Sequence, residues 1–328
     1  DTQEMISVII PAYNAERFLQ ACVDSVVGQT ARDWEMVIVD DGSTDSTPGI
    51  CDRAAAGDPR IRVVHKPNGG LSDARNAGID AARGDRLFFL DADDAVAPDA
   101  LESLSALAGR HGADIACAGF CSSPGAEAPK SWRDSREEMS LDPETAVEMM
   151  LYQDRLNHSA WGKLYDSRLF DGLRFRKGTW YEDLDLFYHV FLRASRVAFT
   201  PRPLYFYRSN PSSFLHSFSL RRADVLGVCD RLCGYMARNR SLRLYMAARD
   251  RRLSAAFNVY GLLSVNKAAK GEKMARRAIE ARCKEIIRET RWGSLRDPRV
   301  RRKNKVGILA SYLGGFPLLR LLSRFVYR

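Results

Sequence analysis

Short apolar runs alternate with segments of helical periodicity over the first 120 residues. The runs are rich in β-branched or aromatic residues and mostly apolar on both faces, which is typical of strands that are covered on both sides. Between them, apolar residues recur at the spacing of one helix face. The pattern predicts an α/β fold with a mostly parallel central sheet and helices on both faces. The expected strands are Met5–Ile10, Trp34–Val39, Ile61–Val64, Leu87–Leu90 and Ile115–Cys117.

The rest of the chain has a different pattern. Residues 121–140 are rich in Ser, Pro, Gly and charge, and we expect a loop there. Helical periodicity resumes over Leu141–Leu156, an aromatic-rich stretch follows, and helical patterns cover roughly 222–290. We predict three parts: an α/β half at 1–120, a second half of the same domain at 121–220, and a mainly helical C-terminal region at 221–328.

The net charge of +9 is concentrated near the C-terminal end. Residues 291–328 hold ten Lys or Arg and one acid, whereas the rest of the chain holds 40 residues of each sign. A basic cluster precedes an apolar stretch that Arg320 interrupts after about fourteen residues, fewer than the ~20 that a membrane span needs. This combination predicts attachment to an anionic membrane surface through residues 299–328. A helix packed on the body is the alternative, and no nucleic-acid-binding module accompanies the charge.

The cysteine pattern bears on the cellular compartment. Seven cysteines without a Cys-x-x-Cys pair favour a reduced interior over a disulfide scaffold. The first residues also lack the apolar segment of a secretory signal. We expect a cytoplasmic protein, peripheral on the inner face of the cell membrane if the tail binds lipid.

Polar residues follow three of the expected strands. In open α/β sheets, ligands bind beyond the carboxyl ends of the strands, so these segments are expected to converge on one edge. The three segments are Pro11-Ala12-Tyr13-Asn14, Asp40-Asp41-Gly42-Ser43 and Asp91-Ala92-Asp93-Asp94.

The last of these segments carries three carboxylates within four residues. Such crowding is unfavourable unless a cation neutralises it. Mg²⁺ and Mn²⁺ prefer oxygen ligands and are commonly bridged by substrate phosphates. The segment therefore predicts a metal–diphosphate site at Asp91 and Asp93. The alternative is an acidic cap for the helix that begins near Pro98.

The other two segments suit the nucleotide. Asp41 is placed to accept the imide N–H of a uracil or thymine ring, and Tyr13 to stack on that ring. A turn leading into a capped helix is the alternative for the Asp41 segment. A glycine pair brings Arg75 to the same side, and Arg suits a diphosphate by charge and geometry. A surface charge on a helix is the alternative for Arg75.

Four ordered motifs stand at Ser7–Asn14, Val37–Ser43, Gly69–Gly78 and Leu90–Asp94. Together they resemble the inverting glycosyltransferases of family 2, of the bacterial surface-polysaccharide type. The resemblance implies the GT-A fold of nucleotide-diphospho-sugar transferases, a UDP- or TDP-sugar donor, and a divalent metal, Mn²⁺ or Mg²⁺. It continues more weakly through Trp161–Tyr165 and Tyr181–Asp185.

The resemblance also implies roles for individual residues. Asp183 matches the catalytic base, which takes the proton of the attacking hydroxyl, and Glu182 and Asp185 are its rivals. The nucleotide-sugar site is implied at Pro11, Tyr13, Asn14, Asp41, Arg75 and Asp91-Ala92-Asp93, with Asp91 and Asp93 also at the metal.

Further candidates are less specific. His216 and Arg208 could reach the metal or the diphosphate, although a single His is more often a structural hydrogen-bonding residue. Trp161, with Trp180 and Tyr181, could form a platform for a sugar acceptor, although aromatic residues more often fill the core. Lys163, within the weaker motif, is also a candidate site residue.

We expect an inverting, metal-dependent transfer of a sugar onto a hydroxyl of a glycan or lipid-linked saccharide, as in capsule, exopolysaccharide or cell-wall synthesis. Residues 1–120 would bind the nucleotide sugar, and 121–220 the acceptor and base. One alternative is transfer to a polyprenyl phosphate, which is already anionic and needs no base. Another is a non-catalytic subunit that binds nucleotide sugars. A nicotinamide-dependent dehydrogenase is excluded because Pro11–Asn14 stands in place of Gly-x-Gly-x-x-Gly.

Overall fold

The computed structural model describes residues 4–124, 138–209, 219–266 and 271–326. The chain divides into two compact units. The first comprises Asp1–Val147 and His158–Pro211, and the second comprises Glu148–Asn157 and Ser212–Arg328.

Among the described residues, the first unit holds all the strands, and six α-helices begin within it. The strands are β1 (Ile6–Ala12), β2 (Trp34–Asp40), β3 (Ile61–His65), β4 (Arg86–Phe89), β5 (Ala95–Val96), β6 (Ile115–Pro124), β7 (Met139–Leu141), β8 (Lys163–Asp166) and β9 (Val197–Ser209). The helices are α1 (Leu19–Val27), α2 (Thr47–Gly57), α3 (Leu71–Ala81), α4 (Ala100–His111), α5 (Pro143–Tyr152) and α6 (Glu182–Arg193).

The second unit is helical over its described residues. The α-helices of this unit are α7 (Asp224–Asn239), α8 (Leu242–Val265), α9 (Lys273–Arg296), α10 (Arg302–Leu313) and α11 (Gly315–Val326).

In the part of the chain that the structure describes, none of the helices combines the length and the apolar composition that a membrane span requires.

Within the described ranges, nine strands form one sheet in the order β3-β2-β1-β4-β8-β6-β9-β5, with β7 paired to β9. Strands β3, β2, β1 and β4 are parallel, whereas β8 runs antiparallel to both β4 and β6. The predicted α/β class and helical C-terminal region are confirmed, and all five expected strands are present. The structure adds β5, β7, β8 and β9, and it extends β6 into residues 121–124, where a loop was expected.

Alternate residues of β2 pack on opposite faces of the sheet. Met36 and Ile38 belong to the core that includes α1 and α4, whereas Val37 and Val39 pack against α3. Because successive side chains of a strand point to opposite faces, this arrangement requires a strand that is apolar throughout. The continuous apolar runs of the sequence are therefore explained by helices on both faces.

Helix α3 packs closely on β1 at Gly78. A Cβ added to Gly78 would lie 2.3 Å from Cγ2 of Ile9, a core residue. We expect Gly78→Ala to lower the free energy of unfolding by about 1–3 kcal/mol, because overpacking forces neighbouring groups to move. Denaturant unfolding measures the change.

Gly109 provides the matched control. It lies in α4, is exposed, and has no atom within 4 Å of an added Cβ. Gly109→Ala should stabilise the protein by up to about 1 kcal/mol through helix propensity. Equal effects of the two substitutions would contradict the close packing of α3 on β1.

Candidate active site

The loops that follow β1 and β2 are hydrogen-bonded to each other. The Asn14 backbone N–H donates to Ser43 Oγ at 3.0 Å, and the Thr44 N–H donates to Asn14 Oδ1 at 2.9 Å. Asn14 has a φ of 48°, a conformation that Asn adopts more readily than most residues. Pro11 is buried in β1, whereas the adjacent Tyr13 is 54% exposed. The two loops therefore present Tyr13 to solvent at the carboxyl edge of the sheet.

Asp41 is buried and holds the glycine pair that precedes α3. Its carboxylate accepts hydrogen bonds from the N–H groups of Gly69 at 2.9 Å and Gly70 at 2.7 Å, and it forms an ion pair with Lys66. Its own N–H donates to the Ala12 carbonyl at 2.8 Å. Asp41 thus ties three segments together at the edge, and its contact with a nucleotide base stays a prediction.

The three acids after β4 have different environments. Asp94 is buried and accepts hydrogen bonds from Tyr205 Oη at 2.5 Å and from the Arg208 N–H at 2.7 Å. Burial, followed by the nearby charges of Asp91 and Asp93, raises the pKa of Asp94 to about 8. Asp91 and Asp93 are only partly buried. Asp94 therefore anchors the loop to β9, and the other two carboxylates lie nearer to solvent.

The two carboxylates at this loop fit a metal ion that takes most of its ligands from water and phosphate groups. Over the residues that the structure describes, no group of three or more His, Cys, Asp or Glu side chains could hold a metal ion. The two carboxylates of Asp91 and Asp93 suit Mn²⁺ or Mg²⁺, which is often bound by one or two carboxylates together with phosphates and water. His216 lies outside the described residues. Arg208 is close by, since its Nε donates to the Asp93 carbonyl at 2.8 Å.

Arg75 joins this acidic loop to a second acidic segment. Its Nη2 donates to Asp91 Oδ1 at 2.9 Å, and its Nη1 donates to Glu182 Oε1 at 2.9 Å and Asp183 Oδ1 at 2.7 Å. The side chain is only 2% exposed, and a buried charge requires paired charges and hydrogen bonds. The sequence predicts Arg75 at the nucleotide, whereas in the structure its two terminal nitrogens donate hydrogen bonds to three carboxylates.

Asn76 fixes α3 beside this network and was not among the sequence candidates. Its Nδ2 donates to the Phe175 carbonyl at 2.9 Å, and the Phe175 N–H donates to Asn76 Oδ1 at 2.8 Å. The Phe175 ring centroid lies 5.4 Å from the Arg75 guanidinium carbon. The only signal in the sequence is that Asn76 follows Arg75 within the Gly69–Gly78 motif.

The second oxygen of Asp183 is held by a backbone turn. Ala160 donates its N–H to Asp183 Oδ2 at 3.0 Å, and Tyr165 Oη donates to the Ala160 carbonyl at 2.9 Å. Lys163 Nζ donates to the carbonyls of Ser159 at 2.7 Å and Trp161 at 3.3 Å. Lys163 is buried, and burial lowers its pKa to about 8. These contacts hold the buried Lys163 on the segment that carries the Ala160 N–H.

Asp183 combines burial with access. The Asp183 side chain is 15% exposed. Burial raises its pKa to about 7; Arg75 opposes this, and the charges of Glu182 and Asp91 add to it. Tyr181, just before α6, has a φ of 64°, which is uncommon for a bulky residue and is found at functional sites. Asp183 therefore has the environment expected of a base that works near neutral pH.

The rivals of Asp183 are arranged differently. Glu182 shares Arg75 Nη1 with Asp183. Asp185 forms an ion pair with Arg176 at 3.0 Å. Asp183 differs from these two carboxylates in that it also accepts the hydrogen bond from the Ala160 N–H.

Trp161 belongs to a stacked aromatic group. Its ring centroid lies 4.5 Å from that of Tyr205 and 5.7 Å from that of Tyr207, with interplanar angles of 15° and 26°. Phe120 meets its edge at 5.0 Å. Since Tyr205 also bonds Asp94, the group links β9 to the acidic loop. A direct contact of Trp161 with a sugar stays a prediction.

The fold is that of the GT-A glycosyltransferases. TarS of S. aureus, residues 1–349 in complex with UDP-GlcNAc, superposes with a TM-score of 0.68 over 98% of this chain and 90% of that chain, at 17% identity. The mannosyltransferase PcManGT of Pyrobaculum calidifontis, in complex with GDP-Man and Mn²⁺, has a TM-score of 0.56 over 99% of this chain and 86% of that chain, at 15% identity. At such identities the likeness establishes the fold alone.

The profile of glycosyl transferase family 2 matches residues 7–174, and the chain belongs to that family. The glycosyltransferase GlyA of Streptococcus pneumoniae serotype 4 is 36% identical over 217 residues, which cover 64% of this chain and 31% of GlyA. The uncharacterised glycosyltransferase EpsJ of Bacillus subtilis is 36% identical over 216 residues, which cover 64% of this chain and 62% of EpsJ. The matched region is thus less than two thirds of either relative. The predicted family and fold are confirmed.

Removal of the buried charge tests the Arg75 network. Arg75→Met should lower the free energy of unfolding at pH 8 by about 3–5 kcal/mol, because it leaves buried carboxylates without their cation. The cost should shrink as the pH falls towards about 7, because Arg75 lowers the pKa of Asp183 and, without Arg75, Asp183 takes up its proton at higher pH and no longer needs a cation. Guanidinium unfolding at several pH values measures both effects.

Arg176→Met is the control for this experiment. Arg176 is 60% exposed where it pairs with Asp185, and such pairs contribute about 1 kcal/mol or less. A similar small cost for both substitutions would contradict the proposed importance of Arg75.

Proposed function

We propose that this protein is an inverting glycosyltransferase that moves a sugar from a UDP- or TDP-sugar to a hydroxyl group of an acceptor. The single observation that carries the proposal is the bridge made by Arg75. It brings Asp183, the candidate base, and Asp91, at the candidate diphosphate site, onto one guanidinium. A transferase of this kind needs its base and its leaving-group site close together, on opposite sides of the reacting carbon.

For the donor, Tyr13 and Asp41 would bind the base, with Pro11 and Asn14 shaping the loop, and Asp91-Ala92-Asp93 would lie at ribose and diphosphate. Support comes from the exposure of Tyr13 at the sheet edge and from the bonds of Asp41 to the neighbouring loop. TarS was solved with UDP-GlcNAc and PcManGT with GDP-Man, so the likeness in fold leaves the choice of nucleotide to these residues.

Asp91 and Asp93 would hold Mn²⁺ or Mg²⁺, with His216 as a further proposed ligand. When bound, such a metal supplies positive charge to the leaving diphosphate. Arg208, whose Nε already bonds the Asp93 carbonyl, would orient this loop together with Asp94 and Tyr205.

Asp183 would act as the general base. Its carboxylate accepts the proton of the acceptor hydroxyl while the oxygen forms a bond to the anomeric carbon. The bond from that carbon to the diphosphate breaks, and its electron pair leaves with the diphosphate. Arg75 and the Ala160 N–H hold one carboxylate oxygen each, and the remaining lone pairs would accept the proton of the acceptor hydroxyl.

The acceptor would be a glycan or a lipid-linked saccharide in bacterial capsule, exopolysaccharide or cell-wall synthesis. Membership of the family supports this proposal, as does the relationship to GlyA and EpsJ. Residues 1–120 would then bind the donor and 121–220 the acceptor. We further propose a cytoplasmic position, peripheral on the inner face of the cell membrane, and no role for nucleic acid. Transfer to a polyprenyl phosphate is the alternative, because that acceptor needs no base.

Replacing the base distinguishes the two acceptors. We expect Asp183→Asn to lower kcat by about 10²–10⁴-fold, the usual contribution of general base catalysis, with donor binding retained. Asp185→Asn, on the same helical turn, should leave kcat within about twofold, because Asp185 pairs with Arg176. Product formation and calorimetric binding of UDP measure the two quantities. Normal transfer by Asp183→Asn with intact donor binding would favour the polyprenyl phosphate acceptor.

The donor and metal can be tested without an acceptor. UDP- and TDP-sugars with Mn²⁺ should raise the thermal unfolding temperature, since a ligand that binds only the folded state stabilises it. Chelation of the metal or Asp93→Asn should reduce this increase, whereas Asp52→Asn, at an exposed site on α2, should not. If no nucleotide sugar binds with either Mn²⁺ or Mg²⁺, the proposed function is wrong.

A further inference from the structure

Helix α10 faces the second unit with polar as well as apolar residues. Asn304, Ile308 and Ser311 are buried. Asn304 Nδ2 donates to Asp250 Oδ1 on α8 at 2.9 Å, and Asp250 is itself fully buried. Arg291 Nη1 donates to the Ser311 carbonyl at 3.1 Å and so ties α10 to α9. One face of α10 is therefore fixed to the unit by hydrogen bonds.

The opposite face of α10 is apolar and exposed. Val306, Leu309 and Leu313 are 58%, 47% and 86% exposed. Their spacing of three and then four residues places them along one stripe of the helix. A helix on a globular protein normally directs such a stripe toward the core. The stripe of α10 requires another explanation, because about half or more of each of these three side chains is exposed.

Basic residues flank the stripe. Arg302 lies one turn before Val306, and Lys305 is adjacent to it. Within the described ranges, neither Arg302 nor Lys305 has an acidic partner, whereas Arg299 pairs with Asp297 and Arg320 with Glu280. Helix α11, which follows α10, also carries exposed apolar and basic residues.

Helix α11 adds a second set of exposed residues of the same kind. Leu321 and Phe325 are 50% and 81% exposed. Arg324 lies between them and has no acidic partner among the residues that the structure describes. Apolar side chains beside unpaired cations are the combination that interfacial helices use.

We propose that the exposed stripe of α10 docks on an anionic lipid bilayer. Val306, Leu309 and Leu313 would enter the boundary between headgroups and acyl chains, and Arg302 and Lys305 would meet the lipid phosphates. Charge favours this occupant over a second copy of the chain. Each copy carries the same positive excess on this segment, so two copies would repel each other, whereas anionic lipid complements it.

The size of the stripe also favours lipid over a protein partner. A stable protein interface uses about 20–30 residues on each side. Helix α10 has 12 residues, and three of them form the stripe. A bilayer needs no complementary shape, so a few apolar side chains and two or three cations give measurable, reversible binding.

Vesicle sedimentation with the full chain tests the proposal. The protein should bind vesicles of phosphatidylcholine mixed with phosphatidylglycerol, bind those of phosphatidylcholine alone weakly, and lose binding as salt is raised. The triple variant Val306→Ser, Leu309→Ser, Leu313→Ser should bind the mixed vesicles at least about tenfold more weakly, because each removed apolar group loses burial free energy. Arg302→Gln with Lys305→Gln should reduce the dependence on salt.

Leu242→Ser with Met274→Ser is the matched control. These residues are 73% and 82% exposed in α8 and α9 of the same unit, outside the stripe. Binding by this control should equal that of the unsubstituted chain, with circular dichroism confirming that all variants are folded. Equal loss in the control, or no preference of the unsubstituted chain for anionic vesicles, would overturn the proposal.

Light scattering tests whether the stripe instead binds a second copy of the chain. A dimer that the triple variant converts to a monomer, without any effect on vesicles, would assign the stripe to a second copy and overturn the proposal. The outcome is independent of the proposed transfer reaction, since Asp183→Asn should bind vesicles like the unsubstituted chain.

Discussion

The guanidinium of Arg75 is buried among three carboxylates, and the arrangement of the site depends on that one charge. Asp91 comes from the loop after β4, and Glu182 and Asp183 come from the first turn of α6. Removal of any one partner would leave charge in a poorly solvated place, so the helix that carries Arg75 and the two acidic segments are held together. Asn76 adds hydrogen bonds to Phe175 and fixes the same helix beside this network.

Much of the parallel half of the sheet could be predicted from the sequence, for a physical reason. Strands covered on both faces must be apolar throughout, as Met36 to Val39 are, and this leaves a continuous run that can be recognised without any homologue. The loops at their carboxyl ends, by contrast, are polar. That contrast predicts where Tyr13, Asp41 and Asp91 lie, and the structure brings all three segments to one edge.

The antiparallel half and the inner contacts of the site could not be predicted in the same way. Strands β8 and β9 lie in an aromatic-rich stretch, where the pattern of Tyr205 to Tyr207 does not separate a strand from a core helix. The hydrogen bonds from Tyr205 to Asp94 and from Ala160 to Asp183 join residues 111 and 23 positions apart. Contacts of this kind depend on topology, and no local spacing reports them.

The carboxylates of this site are chemically alike, and their surroundings give them different properties. Asp41 accepts hydrogen bonds from two backbone N–H groups and forms an ion pair with Lys66, so its charge is compensated within the protein. Asp94 is buried beside two other acids, and its pKa rises to about 8. Asp183 is held by one cation and one N–H, retains partial exposure, and has a pKa raised to about 7. Asp183 thus combines a raised pKa with a partly exposed side chain, which is the combination that its proposed role as general base requires.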